Sequence, residues 1–259
     1  MPETQPDAWS SWRELTAARI ALGRAGGSLP TREWLEFSLA HARARDAVHI
    51  GLDGELLAAE FAKRGWESII VSSLARDRVE MLQQPHLGRK LRDNDVPRLQ
   101  KVAAQEAPYD LAVLIGDGLS AVAAQSHAAG LLDLLLPKLS GQNWRIAPLV
   151  IVHQARVALQ DEVGRILNTR LILSLVGERP GLGAADSLGA YFVYEPMPGR
   201  HDAERNCVSN IRPAGLPLAA AAETLAYLLT AAHTRRLSGV QLKDDRTLLA
   251  TSSSSDHLA

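Results

Sequence analysis

The feature that most constrains the fold of this chain is a series of short apolar runs separated by helical segments. Residues 111–115, 149–152 and 171–176 are rich in Leu, Ile and Val, as strands buried on both faces are. The stretches between these runs carry apolar residues at helical spacing. Repeated strand–helix units predict an α/β fold whose sheet is doubly wound, mostly parallel and covered by helices on both faces.

The same patterns predict the remaining elements. Two further strands are expected at residues 68–71 and 190–194, the second at an edge of the sheet. Further helices are expected over residues 52–63, 97–104, 157–167 and 217–236, and a long one ends near residue 136. Residues 1–48 indicate short helices around a Gly-Gly-Ser break, so we expect a small N-terminal helical subdomain before a main domain over 49–259. The serine-rich tail, 251–257, is predicted to be disordered.

Composition narrows the functional classes. The 259 residues have a net charge of -1 and no block of Lys and Arg, which argues against nucleic acid as a partner. Cys207 is the only cysteine, which excludes an internal disulfide and a zinc cluster of several cysteines. The apolar run 131–136 is too short to cross a bilayer, and the first residues lack the pattern of a signal peptide. We therefore expect a cytoplasmic chain with no membrane partner.

Two polar runs are candidates for a binding site. Residues 177–182, Gly-Glu-Arg-Pro-Gly-Leu, come directly after the strand predicted at 171–176. Ligands of open parallel sheets bind outside the carboxyl ends of the strands, so Glu178 and Arg179 are predicted to contact a ligand, although a surface ion pair is the alternative. Residues 205–212 would hold the same polar ligand from another side. Cys207, in this second run, is either a ligand contact or a small packing residue.

Residues 116–121, Gly-Asp-Gly-Leu-Ser-Ala, fit the G-x-G-x-x-G/A fingerprint of dinucleotide-binding proteins. The fingerprint is not on the first strand, however, and the next strand ends in His153-Gln154 without an acidic residue for a ribose. A tight strand–helix turn that needs glycine is one alternative. The other is a different ligand that meets this turn through Asp117 and Ser120.

Motifs for metal ligation or catalysis are incomplete. Residues 125–130 nearly match D-x-H-x-x-G, a cobalt-ligating motif of one class of cobalamin proteins, but Gln125 replaces the aspartate that would orient the histidine. The run also lies in a predicted helix, so His127 is expected to be a surface or half-buried side chain. Asp161 and Glu162 are predicted to lie on a solvated helix face. We therefore assign no catalytic residue and no metal ligand, and the residues indicate a binding domain.

Nine stretches in order resemble the small (light) subunits of ethanolamine ammonia-lyase. They extend over nearly the whole chain: 18–24, 28–31, 40–49, 87–89, 117–121, 177–182, 186–191, 202–212 and 237–243. The resemblance implies a subunit of an adenosylcobalamin-dependent lyase that converts ethanolamine to acetaldehyde and ammonia. It also implies a Rossmann-like domain that holds the cofactor at the interface with a large barrel subunit, on which the substrate binds.

By this resemblance, the cobalamin contacts of the family correspond to Val157, Glu178 and Cys207. The incomplete D-x-H-x-x-G motif around His127 agrees with a family in which the cofactor's own benzimidazole stays on cobalt. The chain is expected in the cytoplasm, within a bacterial microcompartment if the host has one. An NAD- or nucleotide-binding α/β oxidoreductase remains the alternative, followed by a stand-alone corrinoid carrier.

Overall fold

The computed structural model describes residues 7–104, 108–141 and 143–246. One mixed sheet is built from six strands: β1 (Ser68–Ser72), β2 (Tyr109–Gly116), β3 (Leu149–His153), β4 (Thr169–Gly177), β5 (Leu188–Tyr194) and β6 (Asn206–Ile211). Their order is β1-β3-β2-β4-β5-β6. The first four strands in this order are parallel, whereas β5 and β6 are antiparallel to their neighbours. The predicted α/β class is confirmed.

The described residues form seven α-helices: α1 (Thr31–His49), α2 (Gly54–Lys63), α3 (Arg78–Gln83), α4 (Val96–Ala103), α5 (Ala121–Ser140), α6 (Leu159–Ile166) and α7 (Leu218–Arg235). The side chains of β2 alternate between two cores. Leu111 and Val113 belong to the core that α2, α5 and α7 cover, and Leu114 belongs to the core under α4 and α6. Burial on both faces explains why the central strands are continuously apolar.

The sequence predicted that β5 lies at an edge of the sheet. This prediction is wrong, because β6 pairs with the outer side of β5. No strand was predicted for β6, which lies in the polar run 205–212 that was predicted to hold a ligand. Only Val208 and Ile211 of this strand are buried. The other side chains of an exposed edge strand are free to be polar, so the alternation that identifies a half-buried strand is weak here.

The connection after β3 differs slightly from the prediction of a helix over 157–167. Helix α6 begins at Leu159. Val157 therefore lies in the turn that joins β3 to α6, at the carboxyl end of a central strand. This position brings Val157 close to the polar loops described below.

The N-terminal residues are helical in part, as predicted. Beyond residues 1–6, which lie outside the described ranges, Ser10–Glu14 form a short 3-10 helix that precedes α1. Ala47 is the only buried residue of α1. The tail predicted to be disordered also lies outside the described residues. No helix in the described part of the chain has the length and apolar character needed to cross a membrane.

Candidate functional site

Two adjoining clefts open at the carboxyl ends of the central strands. The first, of about 520 Å³, lies between the β3–α6 turn and β6, and the second, of about 380 Å³, lies between that turn and the loop after β4. Arg156, Val157 and Tyr191 line both. The two clefts thus form one continuous depression, which we call the strand-end groove.

The three residues named from the resemblance meet in the strand-end groove. Val157 lines both clefts, Glu178 lines the second and Cys207 lines the first. They come from three separate elements, namely the β3–α6 turn, the end of β4 and strand β6. The structure brings them together, and their role as cofactor contacts stays a prediction.

Glu178 is held in place by its neighbours and keeps one oxygen uncommitted. Its Oε2 accepts hydrogen bonds from the Ser187 hydroxyl at 2.6 Å and from the Asn210 N–H at 3.1 Å. Its Oε1 receives no hydrogen bond from any residue that the structure describes. The predicted alternative, a surface ion pair between Glu178 and Arg179, does not form. Glu178 therefore presents a fixed acceptor to a ligand in the groove.

The Gly-Asp-Gly segment after β2 is a close-packed turn. Gly118 has a φ of +52°, and a Cβ there would lie 2.3 Å from the carbonyl oxygen of Gly177. Ser120 caps α5 and donates its hydroxyl to the carbonyl of Ala185 at 2.7 Å. These contacts agree with the tight-turn interpretation and commit Ser120 to a structural bond.

Asp117 is a buried positioning residue for the turn that carries Val157. Its carboxylate accepts hydrogen bonds from the N–H groups of Gln154 at 3.0 Å and Ala155 at 2.7 Å. Arg78 lies 3.2 Å away and opposes the effect of burial, which raises the pKa of Asp117. Asp117 thus ties the end of β2 to the backbone just before the groove residues of the β3–α6 turn.

Cys207 is exposed in the first cleft and lies opposite Tyr191 in the β5–β6 ladder. Desolvation by the surrounding protein raises the pKa of the Cys207 thiol, and Tyr191 opposes that effect only in part. Burial also raises the pKa of the Tyr191 phenol. Both groups are protonated at neutral pH, so Cys207 lacks the activation that a nucleophilic cysteine needs. It can still contact a ligand.

Three arginines surround the groove without neutralising partners. Arg89 lines the first cleft, Arg179 the second and Arg156 both. None of the three makes an ion pair or a side-chain hydrogen bond with a residue in the described ranges. Sequence reasoning missed Arg89 and Arg156 as site residues. The position of Arg156, three residues after the end of a central strand, is the signal that could have identified it.

Two predictions about charged or titratable helix residues are wrong. His127 is buried on α5, where its Nε2 lies 3.4 Å from the Asp186 carboxylate, and it lines neither cleft. Asp161 is buried and forms an ion pair with Arg205, while Glu162 accepts a hydrogen bond from a backbone N–H at 2.8 Å. Burial raises the pKa of Asp161 to about 6. The partners of His127 and Asp161 are distant from them in sequence, so a local sequence pattern cannot reveal these contacts.

Within the described ranges, no three His, Cys, Asp or Glu side chains come close enough together to hold a metal ion. The strand-end groove contains acceptors, neutral donors, apolar surface and cationic groups. Such a groove can bind a large polar ligand along one of its sides.

Comparisons with known proteins all indicate the same family. The family model described as "Ethanolamine ammonia-lyase light chain" matches residues 6–243. A protein of Xanthomonas campestris pv. campestris named "Ethanolamine ammonia-lyase small subunit" is 50% identical over 258 residues, which cover 98% of this chain and 95% of the relative. A relative with the same name in Azotobacter vinelandii is 50% identical, over 94% of this chain and 90% of the relative. Another, in Pseudomonas syringae pv. tomato, is 47% identical, over 96% of this chain and 88% of the relative.

Proposed function

The chain belongs to the family of ethanolamine ammonia-lyase light chains, and we propose that it forms one wall of an adenosylcobalamin site. The other wall is the large subunit of the same lyase, which converts ethanolamine to acetaldehyde and ammonia. The observation that carries this proposal is the meeting of Val157, Glu178 and Cys207 in the strand-end groove. By the resemblance, the cobalamin contacts of the family correspond to these three positions.

The chemistry of the groove fits the outer surface of a corrinoid. The periphery of the corrin ring carries amide side chains, which offer N–H donors and carbonyl acceptors. Glu178 has a free Oε1 to accept from such an amide, Tyr191 and Cys207 can donate, and Val157 provides apolar contact. The groove is open to solvent, so it covers one side of so large a ligand, and a second subunit must cover the rest.

Adenosylcobalamin, when bound, would supply the radical chemistry of the lyase by homolysis of its cobalt–carbon bond. The residues of this chain bind and orient the cofactor and keep water from its flank. His127 lies away from the groove, held against Asp186. His127 would therefore supply no ligand to a cofactor held in the groove.

The surface of the N-terminal region supports the proposal that this chain has a partner subunit. Large apolar side chains that would normally be buried are exposed there: Trp9, Trp12, Leu15, Leu29, Trp34, Leu35, Phe37 and Leu39. Exposed apolar surface of this kind marks interaction sites. We propose that the large subunit covers this surface in a hetero-oligomer, and that residues 1–48 act as a helical subdomain beside a Rossmann-like domain.

We propose a cytoplasmic location, within a bacterial microcompartment if the host has one. No observation favours the NAD- or nucleotide-binding alternative. Asp117 and Ser120, the polar groups of the fingerprint, are engaged in structural hydrogen bonds. A stand-alone corrinoid carrier is likewise disfavoured by the open groove, since this chain alone would leave most of the cofactor in water.

Substitution of Glu178 tests the cofactor site. Cobalamin affinity is measured by spectral titration of the complex reconstituted with the large subunit. We expect Glu178→Ala to weaken binding by about 1–3 kcal/mol because a buried polar group of the cofactor loses its partner. Ser187→Ala is the matched control, since it removes the Ser187–Glu178 hydrogen bond but keeps the carboxylate.

An equal loss in Ser187→Ala would show that Glu178 acts only on local structure. Unchanged affinity in Glu178→Ala would remove it from the site. If the wild-type complex binds NADH and never binds cobalamin, the proposed function is wrong.

A further inference from the structure

The strand-end groove contains an excess of positive charge that the proposed contacts at Val157, Glu178 and Cys207 do not explain. Arg89, Arg156 and Arg179 line it, and none has an ion-pair partner among the described residues. The two carboxylates that line the groove, Glu178 and Asp202, pair with none of these arginines. Glu178 bonds to a hydroxyl and an N–H group, and the Asp202 carboxylate lies 2.8 Å from Arg205.

Contacts with Gly88 hold Arg156 in place. Its N–H donates to the carbonyl of Gly88 at 2.8 Å, which places it beside Arg89. The Arg156 side chain packs on Gly88, where a Cβ would lie 2.7 Å from its Cγ. The absence of a side chain at residue 88 therefore leaves room for the Arg156 side chain next to the backbone that carries Arg89.

This arrangement has an electrostatic cost in the absence of a ligand. Burial lowers the pKa of Arg156, and the like charges of Arg89 and Arg179 lower it further. Uncompensated like charges held around one concave surface are typical of a site for an anion. Arginine in particular donates two parallel hydrogen bonds to a phosphate group.

We propose that Arg89, Arg156 and Arg179 form an anion subsite that binds the phosphodiester of the cobalamin nucleotide loop. This inference rests on the proposed function, since it concerns the same groove. The outer side chains of the corrin ring are neutral amides, so the phosphodiester is the anionic group that a cobalamin exposes at its periphery. Arg156 lines both clefts, so it can reach the phosphodiester while Val157 and Glu178 contact the corrin side.

Corrinoids with and without the phosphodiester test this subsite. The probes are cyanocobalamin, cobinamide methyl phosphate, which keeps a phosphodiester but lacks the base, and cobinamide, which lacks both. Each is titrated into the complex of the large subunit with wild-type, Arg156→Gln or Arg89→Gln chains. Arg165→Gln is the matched control, because Arg165 is an exposed arginine on α6 outside the groove.

Arg156→Gln should weaken cyanocobalamin and cobinamide methyl phosphate by about tenfold or more, as expected for loss of a charged hydrogen bond. Cobinamide affinity should stay unchanged, and the penalty for the two phosphodiesters should shrink at high salt. Arg89→Gln should show the same selectivity at smaller size, and Arg165→Gln should show none.

An equal loss for all three corrinoids, or no loss for any, would overturn the subsite. Weaker association with the large subunit at unchanged corrinoid selectivity would also overturn it, since the arginines would then pair with carboxylates of that subunit. Either result leaves the proposed function standing as long as the wild-type complex binds cyanocobalamin. If the wild-type complex does not bind it, the proposed function and the subsite both fail.

Discussion

Two sets of arginines in this protein have opposite surroundings. Arg78 and Arg205 are buried, and each is paired with a buried aspartate, Asp117 and Asp161 respectively. Arg78 also donates to the carbonyl of Val48 at 2.6 Å, which ties the end of α1 to the start of α3. The three groove arginines have no carboxylate partner in the described part of the chain. One group is neutralised within the fold, and the other is not.

The difference separates structural charge from charge available for binding. A buried cation without a counter-ion is so costly that the fold must supply a partner. The groove arginines avoid that cost because they face solvent or are only half-buried. Their repulsion in turn can be relieved by an anionic ligand. We therefore expect changes in the first group to affect folding and changes in the second to affect binding.

The largest expected effect is at the buried pair of Arg205 and Asp161. Arg205→Met should lower the free energy of unfolding by about 3–5 kcal/mol, because it leaves the Asp161 carboxylate buried without its counter-ion. Urea denaturation of the purified chain measures this loss, with the exposed Arg165→Met as control. A loss no larger than that of the control would show that the pair is not structural.

The smallest expected effect on stability is at the groove. Arg156→Gln should change the free energy of unfolding by no more than about 0.5 kcal/mol, since it breaks no ion pair and removes one like charge. The same urea measurement decides the point. A loss of about 2 kcal/mol or more would place Arg156 with the structural arginines and erase the distinction between the two groups.

The sequence predicted the central strands well because burial on both faces leaves a continuous apolar run, as at residues 171–176. It also predicted a ligand loop at their carboxyl ends, where Glu178 lies. Strand β6 was missed because an exposed edge strand needs few apolar residues, here Val208 and Ile211. The helix α3 has six residues, too few for a clear helical period.

Charge pairing was the least predictable feature. Asp161 and Arg205 are 44 positions apart in the sequence and meet only in the fold. The aspartate therefore looked like part of a solvated helix face. The grouping of Val157, Glu178 and Cys207 came from family resemblance, and the residues alone indicated only the last two. Val157 has an apolar side chain, so only its position beside the groove identifies it as a site residue.

The most direct test of the cofactor site uses Cys207, because it is the only thiol of this chain that a thiol reagent can label. Iodoacetamide labelling of the complex with the large subunit is followed by mass spectrometry of this chain, with and without bound cobalamin. The raised pKa of the thiol means that less thiolate is present at neutral pH, so labelling should speed up as pH rises past the ordinary value of about 8.5.

At pH 9 we expect cobalamin to slow labelling of Cys207 in the complex about tenfold or more, because the cofactor would cover the first cleft. The complex without cobalamin is the reference, which removes any protection by the large subunit alone. Equal labelling rates with and without saturating cobalamin would contradict the account that the strand-end groove is a wall of the cofactor site.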